Sequence, residues 1–183
     1  MQETSRKVVY YIATSVDHYI AHEDETIDGF ATEGHHISDY ITSLRDYDTV
    51  LMGRRTYEWG YQFGVQPGQP APMYGHMMQY VFSQSMPDYE HDQLRVIRDD
   101  PAEFVRQLKT EAGGTIYLCG GGQLAGTLLD HSLVDECIFK VNPVFFGGGI
   151  PVFGDFKHTI ALSLLDTKVY NNGVLFLHYA VGS

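Results

Sequence analysis

The chain has 183 residues, 44% hydrophobic and 19% charged, with 13 Tyr, 10 Phe and one Trp, a composition of globular rather than disordered or fibrous proteins. A chain of this length buries roughly 70% of its unfolded surface, so its core needs neither disulfides nor a structural metal, and one domain spanning 1–183 is expected. Twelve Lys and Arg against 23 Asp and Glu leave a formal charge of −11; a surface for nucleic acid or anionic membrane carries the opposite sign, so both are set aside as partners.

Apolar stretches such as Val8 to Ala13 fall far short of the ~20 residues a spanning helix needs, and the start MQETSRK lacks an apolar signal core. A cytoplasmic protein is expected. Cys119 and Cys137 lie in separate apolar segments without C-x-x-C spacing, which reads as two buried thiols.

The apolar runs alternate as strands and helices do, with no internal repeat. Val8 to Ala13 reads as a strand, Ile37 to Tyr47 as a helix, Thr49 to Met52 as a strand and Arg54 to Tyr61 as a short helix. From Gln62 to about His76 comes a stretch with no Lys, Arg, Asp or Glu that holds three of the seven prolines; it reads as a surface loop or a lid. Tyr80 to Phe82 and Leu94 to Ile97 read as strands, and Pro101 opens a helix that runs to about Glu111. Thr115 to Cys119 is a buried-type strand, Gly120-Gly121-Gly122 a tight turn and Gln123 to Asp130 a helix. The runs 135–141, 161–170 and 174–180 are β-rich with no helix between them, which predicts antiparallel strands at one edge, and Asn171-Asn172-Gly173 spells a hairpin turn.

Two places invite an anion. The glycine turn at 120–122 brings free N–H groups and the positive end of a helix dipole to one point. Gly120-x-Gly122-x-x-Ala125 even spells a dinucleotide fingerprint, but the acid expected about 20 residues later is missing around Phe145, which argues against a standard Rossmann site. At Gly53-Arg54-Arg55-Thr56 two cations and a hydroxyl occupy a first helical turn, where cations oppose the dipole; an anionic ligand explains them, as would a surface pair with Glu58 or another acid.

With Ser15-x-Asp17-x-x-Ile20-Ala21, the segment Asp48 to Glu58, Val81-Phe82-Ser83, Cys119 to Gly122, Leu133 to Glu136 and Pro143-Val144-x-x-Gly147-x-Gly149-x-Pro151-x-Phe153, the chain resembles the dihydrofolate reductase-like superfamily. The resemblance is strongest to the branch of the C-terminal reductase domain of the bifunctional riboflavin-biosynthesis deaminase-reductase. It implies a three-layer α/β/α fold with a mostly parallel sheet and antiparallel C-terminal strands, a homodimer, and an NADPH cleft across the carboxyl ends of the strands. Carried over, Ala13 and Ile20 flank the nicotinamide. Gly53, Arg54, Arg55 and Thr56 take phosphates, including the 2'-phosphate. Ser83 and Gln84 line the adenosine side, and Gly120, Gly121, Gly122, Gln123 and Leu124 cradle the pyrophosphate.

Asp17, with Ser15 as partner, is the candidate acid to orient substrate or supply a proton; the competing reading is an aspartate that caps its own turn. His18 stands where the riboflavin-pathway branch has glycine, and Tyr40-Ile41 or His36-Ile37 where it has Trp-Ile. Asp39 is out of register with the carboxylate that holds a pterin, and His76-Met77-Met78 supplies no arginine for a glutamate tail, so poor use of dihydrofolate is expected. The histidines and acids of His18-x-x-x-His22-Glu23-Asp24-Glu25 with His35-His36 read as a solvated loop, not a metal site. The expected activity is NADPH-dependent hydride transfer to a small heterocyclic or carbonyl-type substrate. The alternatives are a 5-amino-6-(5-phosphoribosylamino)uracil reductase and an NADPH-binding protein without turnover.

Overall fold

A computed structural model describes residues 5–182. Ten strands and four α-helices follow in the order β1 Val8–Thr14, β2 Tyr19–Ala21, α1 His35–Ser43, β3 Tyr47–Gly53, α2 Arg54–Trp59, β4 Met78–Phe82, β5 Leu94–Ile97, α3 Pro101–Leu108, β6 Thr115–Gly120, α4 Gly122–Asp130, β7 Glu136–Val141, β8 Ile150–Pro151, β9 Leu162–Val169 and β10 Leu175–Val181. Eight strands form one sheet in the order β5-β4-β3-β6-β1-β7-β10-β9, and β2 pairs with β8 apart from it. This is the α/β architecture expected, with a parallel body and an antiparallel C-terminal flank. Antiparallel pairing starts one strand later than the sequence reading has it: β7 runs parallel to β1, β10 alone is reversed, and β9, antiparallel to β10, runs with the body again.

Alternation along each strand sends side chains to two faces, and each face has its own core. On one, Val8, Tyr10, Ile116 and Leu118 meet Ala102, Val105 and Leu108 of α3 and Ala125, Leu128 and Leu129 of α4. On the other, Val9, Tyr11, Val50, Met52 and Tyr117 meet Leu44, Tyr57 of α2, and Val65, Tyr74 and Met77. Local chemistry sets the helix ends. Asp100 accepts from the Glu103 amide at 2.9 Å and Pro101 takes the first helical position, so α3 starts there. The first helix is shorter than expected, because a 3₁₀ turn at Leu44–Asp46 ends it and Tyr47 already belongs to β3.

The proline-rich stretch is the surface loop of the sequence reading, pinned to the body rather than free. The Tyr57 hydroxyl accepts from Gly68 N at 3.0 Å and donates to Gln69 O at 2.8 Å, while the buried Gln79 amide bonds both backbone groups of Ala71. The loop's own Val65 and Tyr74, with Met77 just after it, turn inward and are buried, while Phe63 and Met73 stay exposed, so the loop closes one side of the second core. Among the described residues no helix is long and apolar enough to cross a membrane.

Candidate functional site

β3 and β6 are neighbours, and each runs directly into a helix, α2 and α4, that no side chain caps. Free N–H groups from two helix starts therefore lie side by side. The glycines keep this junction open. A Cβ on Gly53 would stand 3.5 Å from Gly121 N, and one on Gly121 would meet only the Thr56 hydroxyl, at 3.5 Å. Gly120 has φ +132°, a backbone conformation closed to most L-residues. On its far side α4 is fixed: Cβ atoms on Gly122 and Gly126 would fall 2.1 Å from Pro151 O and 2.2 Å from Phe153 O.

The sheet order β4-β3-β6-β1 then sets four separately read segments in one row along the carboxyl edge. Ser83 and Gln84 follow β4, Gly53 to Thr56 follow β3, Gly120 to Leu124 follow β6, and Ala13 lies near the end of β1. At about 4.8 Å per strand step, the row spans about 14 Å. Ser83 Oγ accepts from the amides of Ser85 and Met86 at 3.2 and 3.1 Å, and Gln84 donates to Arg98 O at 2.7 Å. Arg54 pairs with Glu58 at 3.2 Å, and Arg55 lies 3.5 Å from Glu25. Both pairs are exposed and correspondingly weak, so an incoming phosphate could take over either guanidinium.

Asp17 and Ser15 sit past the end of β1. The Asp17 carboxylate accepts from Phe146 N at 3.1 Å and Gly147 N at 2.7 Å. The Ser15 hydroxyl foremost, then these amides, hold its carboxyl down to about 2. Ser15 Oγ also accepts from Tyr19 N at 3.0 Å, and Val152 N donates to His18 O at 3.0 Å. The 15–20 turn and the 143–152 connection thus form one hydrogen-bonded unit, with Ile20 packed on the first core. His18 adopts φ +63°, the left-handed backbone that glycine enters most readily. An ionised Asp17 with two amides on it suits orientation of this unit better than proton donation at neutral pH.

The candidate metal loop is spread out, with His22 stacked on Phe146 at 3.9 Å and His36 buried against Ala31 O and Asn172. No group of three His, Cys, Asp or Glu residues is placed to hold a metal among the described residues. Asp39 binds Lys168 and Tyr170, which occupies the carboxylate considered for a pterin.

Sequence reasoning missed a polar cluster on the second face. Tyr40 of α1 bonds the Tyr117 hydroxyl at 2.9 Å and reaches that of Tyr74 at 3.4 Å, while Tyr74 lies 3.5 Å from Cys119 Sγ. Burial pushes the Tyr40 phenol up to about 12 and raises the Cys119 thiol. Lys140 Nζ stands 4.8 Å over the Tyr40 ring. The available signal was a lysine inside the apolar run Cys137-Ile138-Phe139-Lys140-Val141.

The RibD C-terminal domain family model matches residues 6–176. The uncharacterized protein YwjB of Bacillus subtilis (strain 168) is 35% identical over 175 residues, covering 95% of this chain and 97% of its own length. Among solved structures, a protein of Shewanella sp. PV-4 assigned to riboflavin biosynthesis superposes with a TM-score of 0.81 at 20% identity, covering 97% of this chain and 99% of its own. The diaminohydroxyphosphoribosylaminopyrimidine deaminase/5-amino-6-(5-phosphoribosylamino)uracil reductase of Thermotoga maritima gives 0.72 at 14% identity, over 97% of this chain and 57% of that one. The glycine junctions, the strand order and these matches agree, and the chain belongs to the RibD C-terminal domain family.

Proposed function

We propose that this protein is an NADPH-dependent reductase that transfers a hydride to a small heterocyclic or carbonyl-type substrate. The observation that carries the reading is the row of four segments along one sheet edge, open in its middle because Gly53, Gly120 and Gly121 carry no side chains. Its groups fit a dinucleotide. The amides of Gly121 to Leu124 suit the pyrophosphate, Arg54, Arg55 and Thr56 the 2'-phosphate, and Ser83 and Gln84 the adenosine. Ala13 and Ile20 flank the nicotinamide end. When bound, the cofactor supplies the hydride, and the protein's task is to hold substrate in register and keep water out. Ser15 and Asp17 serve that task by fixing the 143–152 connection.

Family membership favours a second reading within the same chemistry, a 5-amino-6-(5-phosphoribosylamino)uracil reductase. A homodimer accompanies either reading: β9 is exposed along its length, with Leu164 57%, Leu165 52% and Val169 72% exposed, and an apolar edge of this kind invites a second copy. Light scattering should give twice the chain mass at micromolar concentration; a monomer mass removes the dimer. The cofactor assignment is tested by calorimetric titration with NADPH and NADH. NADPH should bind at least tenfold tighter, and equal affinity would overturn it.

A further inference from the structure

Lys140 occupies a core position by every local rule. On β7 the side chains of Cys137, Phe139 and Val141 enter the first core, and Ile138 enters the second, so position 140 also belongs to the second face. Three of the other lysines, Lys7, Lys109 and Lys168, meet carboxylates. Lys140 meets none, and its amine makes no hydrogen bond among the described residues. Its one polar contact is the Tyr40 ring face, a cation–π contact. The amine is nevertheless not sealed in, because the closed-off, unpartnered side-chain atom of the described residues is Thr14 Oγ1. A charged group withdrawn from water without a partner is costly, and packing offers no return for it here.

Its neighbours place it at the substrate end of the cleft. In register on β1 stands Ala13, whose small side chain leaves room beside it, and on β10 stands Phe176. Tyr40 closes the other side, its hydroxyl held by Tyr117 and Tyr74. The neighbours in contact are aromatic, and the next cation along the row, Lys168 on β9, is already held by Asp39. We propose that Lys140 is the substrate-selecting cation of this cleft, holding a carbonyl or oxyanion oxygen of a planar heterocycle against the Tyr40 ring; this rests on the reading of Ala13 as the nicotinamide end. Burial, which pushes the amine down to about 8, sharpens its preference for an oxygen that carries negative charge.

The test uses full-length protein and two planar probes, barbiturate, which presents ionised ring oxygens, and 2,4-diaminopyrimidine, which has none. Each is titrated calorimetrically into wild type, Lys140→Met and Lys140→Arg, with NADPH titrated in parallel and thermal midpoints recorded. Lys140→Met should weaken barbiturate about 10- to 100-fold, leave 2,4-diaminopyrimidine and NADPH within about twofold, and melt no lower than wild type; Lys140→Arg should restore most of the barbiturate affinity. Equal barbiturate binding by wild type and Lys140→Met, including no binding by either, overturns the proposal, as does a lower melting point for Lys140→Met, which would make the lysine structural. Failure of wild type to bind NADPH would instead remove the cofactor reading and leave the barbiturate comparison to decide on Lys140.

Discussion

The carboxyl edge of the sheet has two halves built from different material. From β4 to β6 its middle is main chain, glycine turns and two uncapped helix starts with their amides, flanked by the Arg54, Arg55 and Ser83 side chains. From β1 to β7 it is side chain: Lys140 of β7 stands over Tyr40 of α1, whose hydroxyl bonds Tyr117 of the adjoining β6, so the group is drawn from three elements separate in sequence. A site made of backbone leaves a local trace, because only glycine tolerates the required approach, whereas a site made of side chains exists only once the strands are ordered. The first half suits a ligand common to many enzymes, and the second suits whatever distinguishes this one.

The largest expected effect breaks the backbone half. Gly122→Ala puts a methyl 2.1 Å from the Pro151 carbonyl, a contact with main chain that cannot swing away. It should lower unfolding free energy by about 3 kcal/mol or more, read as an earlier denaturant midpoint. Gly126→Ala, 2.2 Å from the Phe153 carbonyl, should do likewise. Gly148→Ala, with nothing within 4 Å, should change the midpoint little.

The side-chain half predicts the opposite sign. The Lys140 amine titrates near 8 when folded against 10.5 as its ordinary value. Between those values the unfolded chain holds the proton more tightly, so stability contributed by this group rises with pH and is lowest, fully so, below about 8. Lys140→Met should therefore stabilise the fold by roughly 2–3 kcal/mol at pH 7 and flatten the rise between pH 8 and 10.5. Denaturant midpoints across that window check both statements.

A smaller effect sharpens the division between nucleotide and substrate. Arg54→Ala or Arg55→Ala should weaken NADPH about tenfold, or ~1.4 kcal/mol, and leave barbiturate binding unchanged. NADH affinity should not respond to whichever arginine meets only the 2'-phosphate. Their pairs with Glu58 and Glu25 are exposed, so stability should shift by less than about 1 kcal/mol.

What the sequence makes legible follows the same division. The strand, glycine turn and helix at 115–130 could be read because period, turn chemistry and helix start coincide within sixteen residues. The antiparallel flank could be read from β-rich runs, but not that β7 pairs parallel with β1: that direction depends on the crossover through α4, which the β-rich run itself does not record. The 62–76 segment could be read as a surface loop from its prolines and glycines, but the bonds from Tyr57 and Gln79 that pin it are tertiary and leave no local trace. Arg54 and Arg55 stood out as cations at a helix start; their partners Glu58 and Glu25 show that the same signal also suits surface pairing. Asp17 stood out for its place after β1, yet its two amide donors come from a connection 129 and 130 residues away. Lys140 alone broke the pattern of its strand, and its meaning needed Tyr40 and Ala13 beside it.

The most direct test of the central claim is the backbone amide spectrum of the ¹⁵N-labelled protein titrated with NADPH. The account predicts shifts at Gly53 to Thr56, Ser83, Gln84 and Gly121 to Leu124, saturating together and absent around Ser132 and Val181. Shifts confined elsewhere, such as His22 to Asp28 with Gly147 and Gly148, or no shifts at saturating nucleotide, would contradict it.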